Sequence, residues 1–408
     1  MILTFSTNHT IQRLAVKVKL KSESYIRQGH PWIFESSVLK INKEGQAGDI
    51  AIIFDQKKNK YLGLGLYDPY SPIRIKLLAH TTKENINHDF FRRKIKEAFE
   101  IRKPLFETNT NAYRLIFGEN DYLPGLIIDV YAHVAVIKLY SAIWIPYLHF
   151  ILDIVIEEIG ISVAVLRFSR LLQKPNIPTF GLEDGQVIYG DLKNPEIEFV
   201  EYGVRFIANV IKGHKTGYFL DHRANRKRVG EMSDAKRVLD VFSYAGGFSV
   251  HALAKGAKEV TSLDISKQAL EVASENAKLN PYSGQHKIIA GDAFVEMKRL
   301  ISEKKTYDIV VIDPPSFAKS TKEIEMAKKK YTELAKLGAQ LTGKGGILVL
   351  ASCSSRVSAE VFFEINKRAL KTQNRLFSLE MKTYHDSDHP VTFPEGAYLK
   401  CAYYRFTN

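Results

Sequence analysis

Residues 237–249 read Arg237-Val-Leu-Asp-Val-Phe-Ser-Tyr-Ala-Gly-Gly-Phe-Ser249, an apolar run followed by a turn with two adjacent glycines. The apolar run is typical of a parallel strand that is buried on both faces of a sheet. Glycines between a strand and a helix let the backbone approach a ligand closely. This stretch therefore predicts the first strand and the ligand-binding turn of an open α/β sheet.

The alternation of strand-like and helical segments continues towards the C-terminus. Apolar runs predict strands at residues 237–242, 259–263, 286–290, 307–312 and 346–351. Helical segments lie between them, including residues 266–280 and 323–341. This alternation predicts a doubly wound parallel sheet, and so an α/β fold, for the C-terminal half of the chain.

Four successive strands carry an acidic residue at or near their ends: Asp240, Asp264, Asp292 and Asp313. Ligands bind at the carboxyl ends of the strands in open α/β sheets. Asp264 has the position from which a carboxylate accepts hydrogen bonds from ribose hydroxyls. Each acid taken alone is equally well explained as a helix N-cap. Together they indicate a ligand site at this edge of the sheet.

Cys353 follows the last of these strands, within Ala351-Ser-Cys-Ser-Ser355, and is one of only two cysteines in the chain. A thiolate at a strand end can attack a base as a nucleophile. The alternative is that Cys353 is a small buried side chain, which is the commonest role of a free cysteine. The other cysteine, Cys401, lies in a late strand-like run with no catalytic signature, and we expect it to be structural.

At 408 residues the chain is expected to form two or three domains. Its formal net charge is +13, and residues 1–80 hold twelve Lys and Arg against six Asp and Glu. The first 80 residues read as β-rich, and alternation in residues 16–20 and 73–77 predicts strands with one basic face. Such a face suits phosphate contacts, although a solvated lysine-rich surface explains the charge equally well. The candidate RNA-binding residues are Lys17, Lys19, Arg27, Arg74 and Lys76.

The segment that follows, residues 85–190, is expected to form a second, α+β unit. Helices are expected at residues 90–106 and 145–159, a hairpin at residues 113–117 and 125–130, and a strand at residues 161–168. The most apolar stretch, residues 142–166, is interrupted by proline and acidic residues, which argues against a membrane span. Two cysteines cannot build a disulfide framework, and no Cys/His cluster has zinc spacing. With no secretory signal pattern at the N-terminus, we expect a cytoplasmic protein without a structural metal.

Residues 237–353 resemble a class I S-adenosylmethionine-dependent methyltransferase, because the glycine turn, the strand-end acids and Asp313-Pro-Pro315 occur in that family's order. The resemblance implies that S-adenosylmethionine is the cofactor. It also implies a Rossmann-like domain, with Asp264 on the ribose and Asp292 with Ala293 at the adenine. The cofactor-binding residues implied are Tyr218, Asp221, Ser243, Tyr244, Gly246, Gly247, Asp264, Asp292, Ala293 and Asp313.

The resemblance extends over nearly the whole chain. His30-Pro-Trp-Ile-Phe34 is similar to an N-terminal PUA RNA-binding module, and Leu123-Pro-Gly-Leu126 to the middle domain that accompanies it. The chain is thus similar to the large-subunit (23S) ribosomal RNA cytosine-5 methyltransferases with an N-terminal PUA domain. This implies a PUA-like domain at residues 1–80, a middle domain at 81–192 and a methyltransferase domain at 193–408. It implies ribosomal RNA as partner, with a homodimer as a candidate assembly. His214 and His222 depart from the family pattern, in which we expect glutamine at 214.

In such an enzyme Cys353 would attack C6 of cytosine, and Asp313 would bond to N3 or N4 of the base. Methylation of a guanine nitrogen is an alternative, although those enzymes often carry an aromatic residue directly after Pro-Pro, where this chain has Ser316. Uracil C5 is a close variant because it undergoes the same thiolate addition. A nicotinamide-dependent oxidoreductase would need G-x-G-x-x-G, which is missing here. A non-catalytic RNA-binding assembly factor is the last alternative, and an intact cofactor site argues against it.

Overall fold

The computed structural model describes residues 9–318 and 320–408, and the chain forms two compact units. Among the described residues, the first unit contains 9–200, 207–220 and 387–396, and the second contains 201–206, 221–318, 320–386 and 397–408. Residues 1–8, on which the expectation of a missing secretory signal depends, lie outside the described residues. Within the described part of the chain, no helix is long and apolar enough to cross a membrane.

The first 80 residues build a six-stranded sheet with one short helix. Its elements are β1 Arg13–Val18, α1 Leu20–Arg27, β2 Trp32–Phe34, β3 Val38–Ile41, β4 Ile50–Phe54, β5 Tyr61–Tyr67 and β6 Ile73–His80. The strand order is β2-β6-β5-β4-β1-β3. The expectation that Leu20 ends the first strand is wrong. Leu20 is exposed and begins α1 instead, because Lys19 takes extended backbone angles at the helix N-cap.

The next segment adds a five-stranded sheet and two helices to the first unit. Its elements are α2 His88–Arg102, β7 Ala112–Phe117, β8 Leu126–Tyr131, β9 Val134–Leu139, α3 Leu148–Ile159, β10 Val163–Phe168 and β11 Val187–Tyr189. The expected hairpin is present, since β7 and β8 pair antiparallel. The two following strands, β12 Glu196–Glu201 and β13 Val204–Asn209, form a two-stranded sheet.

Leu64, Leu66 and Leu78 of the six-stranded sheet belong to the same apolar core as the buried side chains of α2 and α3. One face of that sheet is thereby covered by protein. Leu14, Val16 and other side chains of β1 and β4 form a second core. Burial therefore differs between strands, because β1 alternates exposed and buried residues whereas Lys76 of β6 is buried.

The second unit contains a seven-stranded sheet with helices between the strands. Its elements are α4 Arg223–Glu231, β14 Arg237–Val241, α5 Gly247–Ala254, β15 Glu259–Asp264, α6 Lys267–Lys278, β16 Gln285–Ala290, α7 Ala293–Ser302, β17 Tyr307–Ile312, α8 Ile324–Leu341, β18 Thr342–Ser352, α9 Ala359–Lys371, β19 Phe377–Thr383 and β20 Lys400–Phe406. The strand order is β16-β15-β14-β17-β18-β20-β19. The first five strands in that order are mutually parallel, and β20 runs antiparallel to β18.

The helices of this sheet begin where the sequence provides capping side chains. Ser266 accepts from Ala269 N at the start of α6, and Ser358 accepts from Val361 N at the start of α9. Such caps satisfy backbone donors that have no partner within the helix. The expected parallel, doubly wound sheet is confirmed, with strand bounds within a few residues of those expected.

Candidate active site

The topology of the second unit gathers the strand-end residues at one edge of its sheet. The strands β16, β15, β14, β17 and β18 are parallel, so their carboxyl ends point the same way. Asp264 ends β15, Asp313 directly follows β17, and Cys353 directly follows β18. Ligand sites of open α/β sheets lie at this edge. The residues singled out from the sequence therefore share one side of one unit.

The turn after β14 has a backbone that only a few residue types adopt readily. Phe242, Tyr244 and Gly246 all have positive φ angles, of 64°, 48° and 79°. A Cβ atom at Gly246 would lie 2.7 Å from Cβ of Ala273, which is too close for a real contact. Glycine is thus required at 246 both by the φ angle and by the approach of α6. The result is a tight loop between β14 and α5.

Asp264 fixes this loop. Its Oδ2 accepts from the backbone N–H of Tyr244 and its Oδ1 from that of Ser266, both at 2.9 Å. The carboxylate is half-buried, so it retains a face on which ribose hydroxyls can donate. The next residue, Ile265, is 74% exposed, which is unusual for isoleucine. Its position makes it a candidate contact for a flat base, and an apolar residue directly after the acid is the sequence signal that would have pointed to it.

Two buried polar atoms beside the glycine turn have no hydrogen-bond partner within residues 9–318 and 320–408. They are Oγ of Ser243 and Oδ1 of Asp240. Buried polar atoms are nearly always paired in folded proteins, so unpaired ones call for an explanation. A polar ligand bound at the turn would explain both unpaired atoms. The chemistry of this donor and acceptor set fits the amino-acid end of S-adenosylmethionine, which carries both an ammonium and a carboxylate.

Asp292 is exposed and caps α7, accepting from the backbone N–H of Val295 at 3.1 Å. This is the N-cap role that the sequence left open for each strand-end acid. Its second oxygen is not used in that bond, so capping and ligand contact are compatible. Ala293 is buried at 5% exposure as the first residue of the helix.

Asp313 and Cys353 follow neighbouring parallel strands, since Ile312 pairs with Leu350 in the register of β17 and β18. The Asp313 side chain is 24% exposed and Cys353 is half-buried, so a ligand can reach both. Sγ of Cys353 lies 3.9 Å from the carbonyl oxygen of Pro314. The thiol therefore lies against the Asp313-Pro314 segment.

His222 is a neighbour of Asp313 that sequence reasoning did not place. Its Nε2 lies 3.3 Å from Oδ1 of Asp313, at ion-pair distance, although the two atoms do not form a well-aligned hydrogen bond. On the other side of the ring, Nδ1 lies 3.2 Å from Nδ2 of Asn225. Burial lowers the pKa of His222, but Asp313 and Asp221 together outweigh it, and the pKa is raised above its ordinary value. The two residues are 91 positions apart, so no local pattern reveals the contact.

The two other candidate cofactor residues lie in different units. Asp221 belongs to the second unit, where its Oδ2 accepts from the hydroxyl of Tyr398 at 2.9 Å. Tyr218 belongs to the first unit, is buried, and donates its backbone N–H to the hydroxyl of Tyr131 at 3.1 Å.

Cys401 is less accessible than Cys353. It lies within β20, opposite Ala351 of β18, and is fully buried. Burial raises the pKa of its thiol to about 12. A thiol in this position is protonated at neutral pH and out of reach of a substrate.

The basic residues of the first unit do not all share an exposed face. Lys19 and Arg27 are exposed and Lys17 is half-exposed. Lys76, in contrast, is buried and forms an ion pair with Asp68 at 2.7 Å, so its expected place on an exposed basic face is wrong. The reason is that its face of the sheet packs on the rest of the unit. Arg74 is only 14% exposed and pairs with Glu35 at 2.7 Å.

Within the described ranges, no group of three or more His, Cys, Asp or Glu side chains is arranged to hold a metal ion.

Two family models match the chain. Residues 190–390 match a model described as S-adenosylmethionine-dependent methyltransferase, and residues 16–80 match a model described as PUA-like domain. The first match contains the glycine turn, Asp264, Asp313 and Cys353.

Relatives that match along nearly the whole chain are also found. A ribosomal RNA large subunit methyltransferase of Deinococcus radiodurans is 41% identical over 397 residues, which cover 96% of this chain and 97% of the relative. Ribosomal RNA large subunit methyltransferase I of Alteromonas mediterranea is 32% identical over 393 residues, covering 92% and 94%.

Among solved structures, a SAM-dependent methyltransferase from Streptococcus mutans superimposes with a TM-score of 0.79 at 21% identity, covering 97% of this chain and all of that chain. A methyltransferase complexed with S-adenosylhomocysteine matches with the same score, identity and coverage. At this identity the likeness concerns the fold: a class I methyltransferase fold with an N-terminal PUA-like β domain.

Proposed function

This chain belongs to the S-adenosylmethionine-dependent ribosomal RNA large subunit methyltransferases, and we propose that it methylates C5 of a cytosine in 23S ribosomal RNA, with Cys353 as the nucleophile. The observation that carries the proposal is the placement of the Cys353 thiol against the Asp313-Pro314 segment, at the carboxyl ends of adjacent strands.

We assign the cofactor contacts to the residues around the glycine turn. Asp264 accepts from the ribose hydroxyls, and Ser243 and Asp240 offer unpaired polar atoms to the amino-acid end. Asp292 and Ala293 lie after β16, where the adenine would be held. Gly246 and Gly247 allow close approach of the backbone. When bound, the cofactor supplies an electrophilic methyl group at its sulfonium.

Cytosine C5 is a weak nucleophile while the ring is intact, and this determines what Cys353 must do. Its thiolate forms an Sγ–C6 bond, and the electron pair of the C5–C6 double bond becomes available at C5. C5 then bonds to the methyl carbon as the electrons of the sulfur–methyl bond pass to sulfur. Loss of the C5 proton to a base reforms the double bond and expels the thiolate. This route divides one difficult step into easier ones.

Asp313 would hold the base during these steps. Its carboxylate would accept a hydrogen bond from the N4 amino group, or its protonated carboxyl group would donate one to N3. Its side chain retains partial exposure for that purpose, and His222 provides a buried polar contact on its other side. The target base must leave its stack to reach both groups.

Methylation of a guanine nitrogen is less well supported, because that chemistry does not use a thiol at 353 and often has an aromatic residue at the position of Ser316. Uracil C5 would use the same side chains. The distinction between cytosine and uracil depends on the hydrogen bonds that Asp313 makes with N3 and with the substituent at position 4 of the ring.

The proposal extends to the rest of the chain. We assign RNA phosphate contacts to Lys17, Lys19 and Arg27, whose side chains are exposed or half-exposed. We also propose domains at residues 1–80, 81–192 and 193–408, in support of which a PUA-like model matches residues 16–80 and a methyltransferase model residues 190–390. A cytoplasmic location and a homodimeric assembly are proposed with them.

The test incubates the protein with isotope-labelled S-adenosylmethionine and 23S ribosomal RNA, and identifies the labelled nucleoside by mass spectrometry. 5-Methylcytidine is the expected product. 5-Methyluridine would retain the role of Cys353 and overturn the choice of base, and a methylated guanosine would overturn both.

A further inference from the structure

Lys400 is a buried lysine beside the candidate nucleophile. It begins β20 and lies directly opposite Ser352 in the antiparallel pairing of β18 with β20. Because Ser352 immediately precedes Cys353, the lysine side chain reaches the turn that carries the thiol. Lys400 is only 1% exposed. A lysine is almost never buried to this extent without partners.

The partners of Lys400 are backbone carbonyls. Nζ donates to the carbonyl oxygens of Ser354, of Val357 at 2.6 Å and of Tyr398 at 3.0 Å. Three donated hydrogen bonds require three N–H groups, which only the ammonium form has. The geometry therefore requires a charged Lys400 and leaves no lone pair with which it could act as a base.

Titratable groups near the thiol lie on several elements. Asp313 follows β17, Glu360 lies in α9, Lys400 lies in β20, and the neutral Tyr331 hydroxyl of α8 is hydrogen-bonded to Ser352 at 2.8 Å. His222 faces Asp313, and Lys400 is the cation that bonds to the turn carrying the thiol. Burial lowers the pKa of Lys400 to about 8, and negative charge on Cys353 and then on Glu360 opposes this by raising it. The same attraction between the Lys400 ammonium and the Cys353 sulfur favours the thiolate form of Cys353.

We propose that Lys400 is a positioning residue that stabilises the thiolate of Cys353 and holds the 353–357 turn. The inference rests on the proposed nucleophilic role of Cys353. A cation next to a thiol lowers the pKa of that thiol, and the effect is larger where the surroundings exclude water. The three carbonyl bonds keep the ammonium in place, so it needs no rearrangement when the thiolate forms.

The test measures the alkylation rate of Cys353 by iodoacetamide between pH 5 and pH 10, with peptide mass spectrometry to separate it from Cys401. The thiolate is the reactive form, so the pH profile reports the thiol pKa. We expect a midpoint below the ordinary thiol value of about 8.5 in the unaltered protein. Lys400→Gln keeps two N–H donors for the three carbonyls but removes the charge, and should move the midpoint upward by about one unit, a tenfold loss of thiolate.

A purely structural role predicts a different pattern, in which Lys400→Gln lowers the melting temperature and leaves the midpoint unchanged. Lys400→Arg keeps the charge and should keep the lowered midpoint. The matched control is Lys344→Gln, an exposed lysine at the opposite end of β18, which should leave the midpoint unaltered. A midpoint at or above 8.5 in the unaltered protein overturns the proposal without any substitution, and so does an unchanged midpoint in Lys400→Gln.

This measurement involves no RNA and no methyl transfer, so it separates the two proposals. A lowered midpoint together with 5-methyluridine as the product would overturn the choice of base and retain the role of Lys400, whereas a methylated guanosine would overturn both proposals. Formation of 5-methylcytidine by a protein with an ordinary Cys353 midpoint would overturn the role of Lys400 and retain the choice of base.

Discussion

Ser249 donates both its backbone N–H and its hydroxyl to a single oxygen of Asp240, at 3.0 and 2.7 Å. The other oxygen, Oδ1, is buried without a hydrogen-bond partner in the described part of the chain. Burial raises the pKa of Asp240 to about 7, although the bonds from Ser249 act in the opposite direction. The buried Asp240 carboxyl group thus lowers the stability of the protein at neutral pH.

The first prediction concerns the pH dependence of stability. Asp240 ionises near pH 4 in the unfolded chain and near pH 7 in the folded protein, so the folded state binds more protons between these values. Its contribution to the free energy of unfolding therefore falls as the pH rises from 4 to 7. Asp240→Asn removes this dependence, and relative to the unaltered protein the variant should gain up to roughly 4 kcal/mol between pH 4 and pH 8. Urea unfolding at the two pH values measures the gain.

Asp234→Asn is the control for that experiment, because Asp234 is an exposed carboxylate in the same unit. Its substitution should change the free energy of unfolding by similar amounts at both pH values. An Asp240→Asn variant whose difference from the unaltered protein is the same at pH 4 and pH 8 would show that the buried carboxyl group has an ordinary pKa.

The second prediction separates the two reasons for glycine at 246. Gly246→Ala introduces a Cβ atom at a positive φ of 79° and places it 2.7 Å from Cβ of Ala273. Gly345→Ala introduces a Cβ atom at a similar φ of 74° with no atom within 4 Å. Each should lose about 1–2 kcal/mol for the left-handed backbone, whereas only Gly246→Ala should also displace the turn and weaken cofactor binding by about tenfold or more. Isothermal titration with S-adenosylmethionine makes the comparison, and equal affinities of the two variants would contradict it.

The parallel sheet of the second unit could be predicted from the sequence because its signals are local. Each strand is a short apolar run, and helices begin at capping residues such as Ser266. The edge at which Asp264, Asp313 and Cys353 gather followed from parallel pairing alone. Neither step needed knowledge of a long-range contact.

The contacts that tune the site could not be predicted in this way. His222, at the start of α4, meets Asp313 across a long stretch of chain. Lys400 meets the turn after Cys353 because β20 lies between β18 and β19 in the sheet. In the first unit, alternation along β6 correctly predicted a strand but not the burial of Lys76. A polar residue within an alternating strand indicates a face, and whether that face is open depends on what packs against it.

The third prediction compares the exposed or half-exposed basic residues of the first unit with its buried Lys76. The triple variant Lys17→Gln, Lys19→Gln, Arg27→Gln should weaken binding to ribosomal RNA and lower the slope of log affinity against log salt by about 1 for each phosphate that is no longer neutralised. Lys76→Met should instead leave the slope unchanged and reduce the free energy of unfolding by roughly 3–5 kcal/mol, because Asp68 stays buried without its cation. Filter binding at several salt concentrations and urea unfolding measure the two effects. A lower salt-dependence slope for Lys76→Met would show that Lys76 contacts RNA phosphates.

The last prediction compares the two cysteines. Cys353→Ala removes the group proposed to attack C6, so the methylation rate should fall by about three orders of magnitude or more while S-adenosylmethionine binding is retained. Cys401→Ala removes a buried thiol whose pKa burial raises to about 12, which costs packing of roughly 1–2 kcal/mol and leaves the methylation rate close to that of the unaltered protein. Single-turnover methylation and calorimetric cofactor titration measure both variants. Since Cys401 lies on the neighbouring strand of the same sheet, a general loss of packing would slow both variants alike. A selective loss at 353 with cofactor binding retained would support the role of that thiol in the reaction, and undiminished turnover by Cys353→Ala would exclude it as the nucleophile.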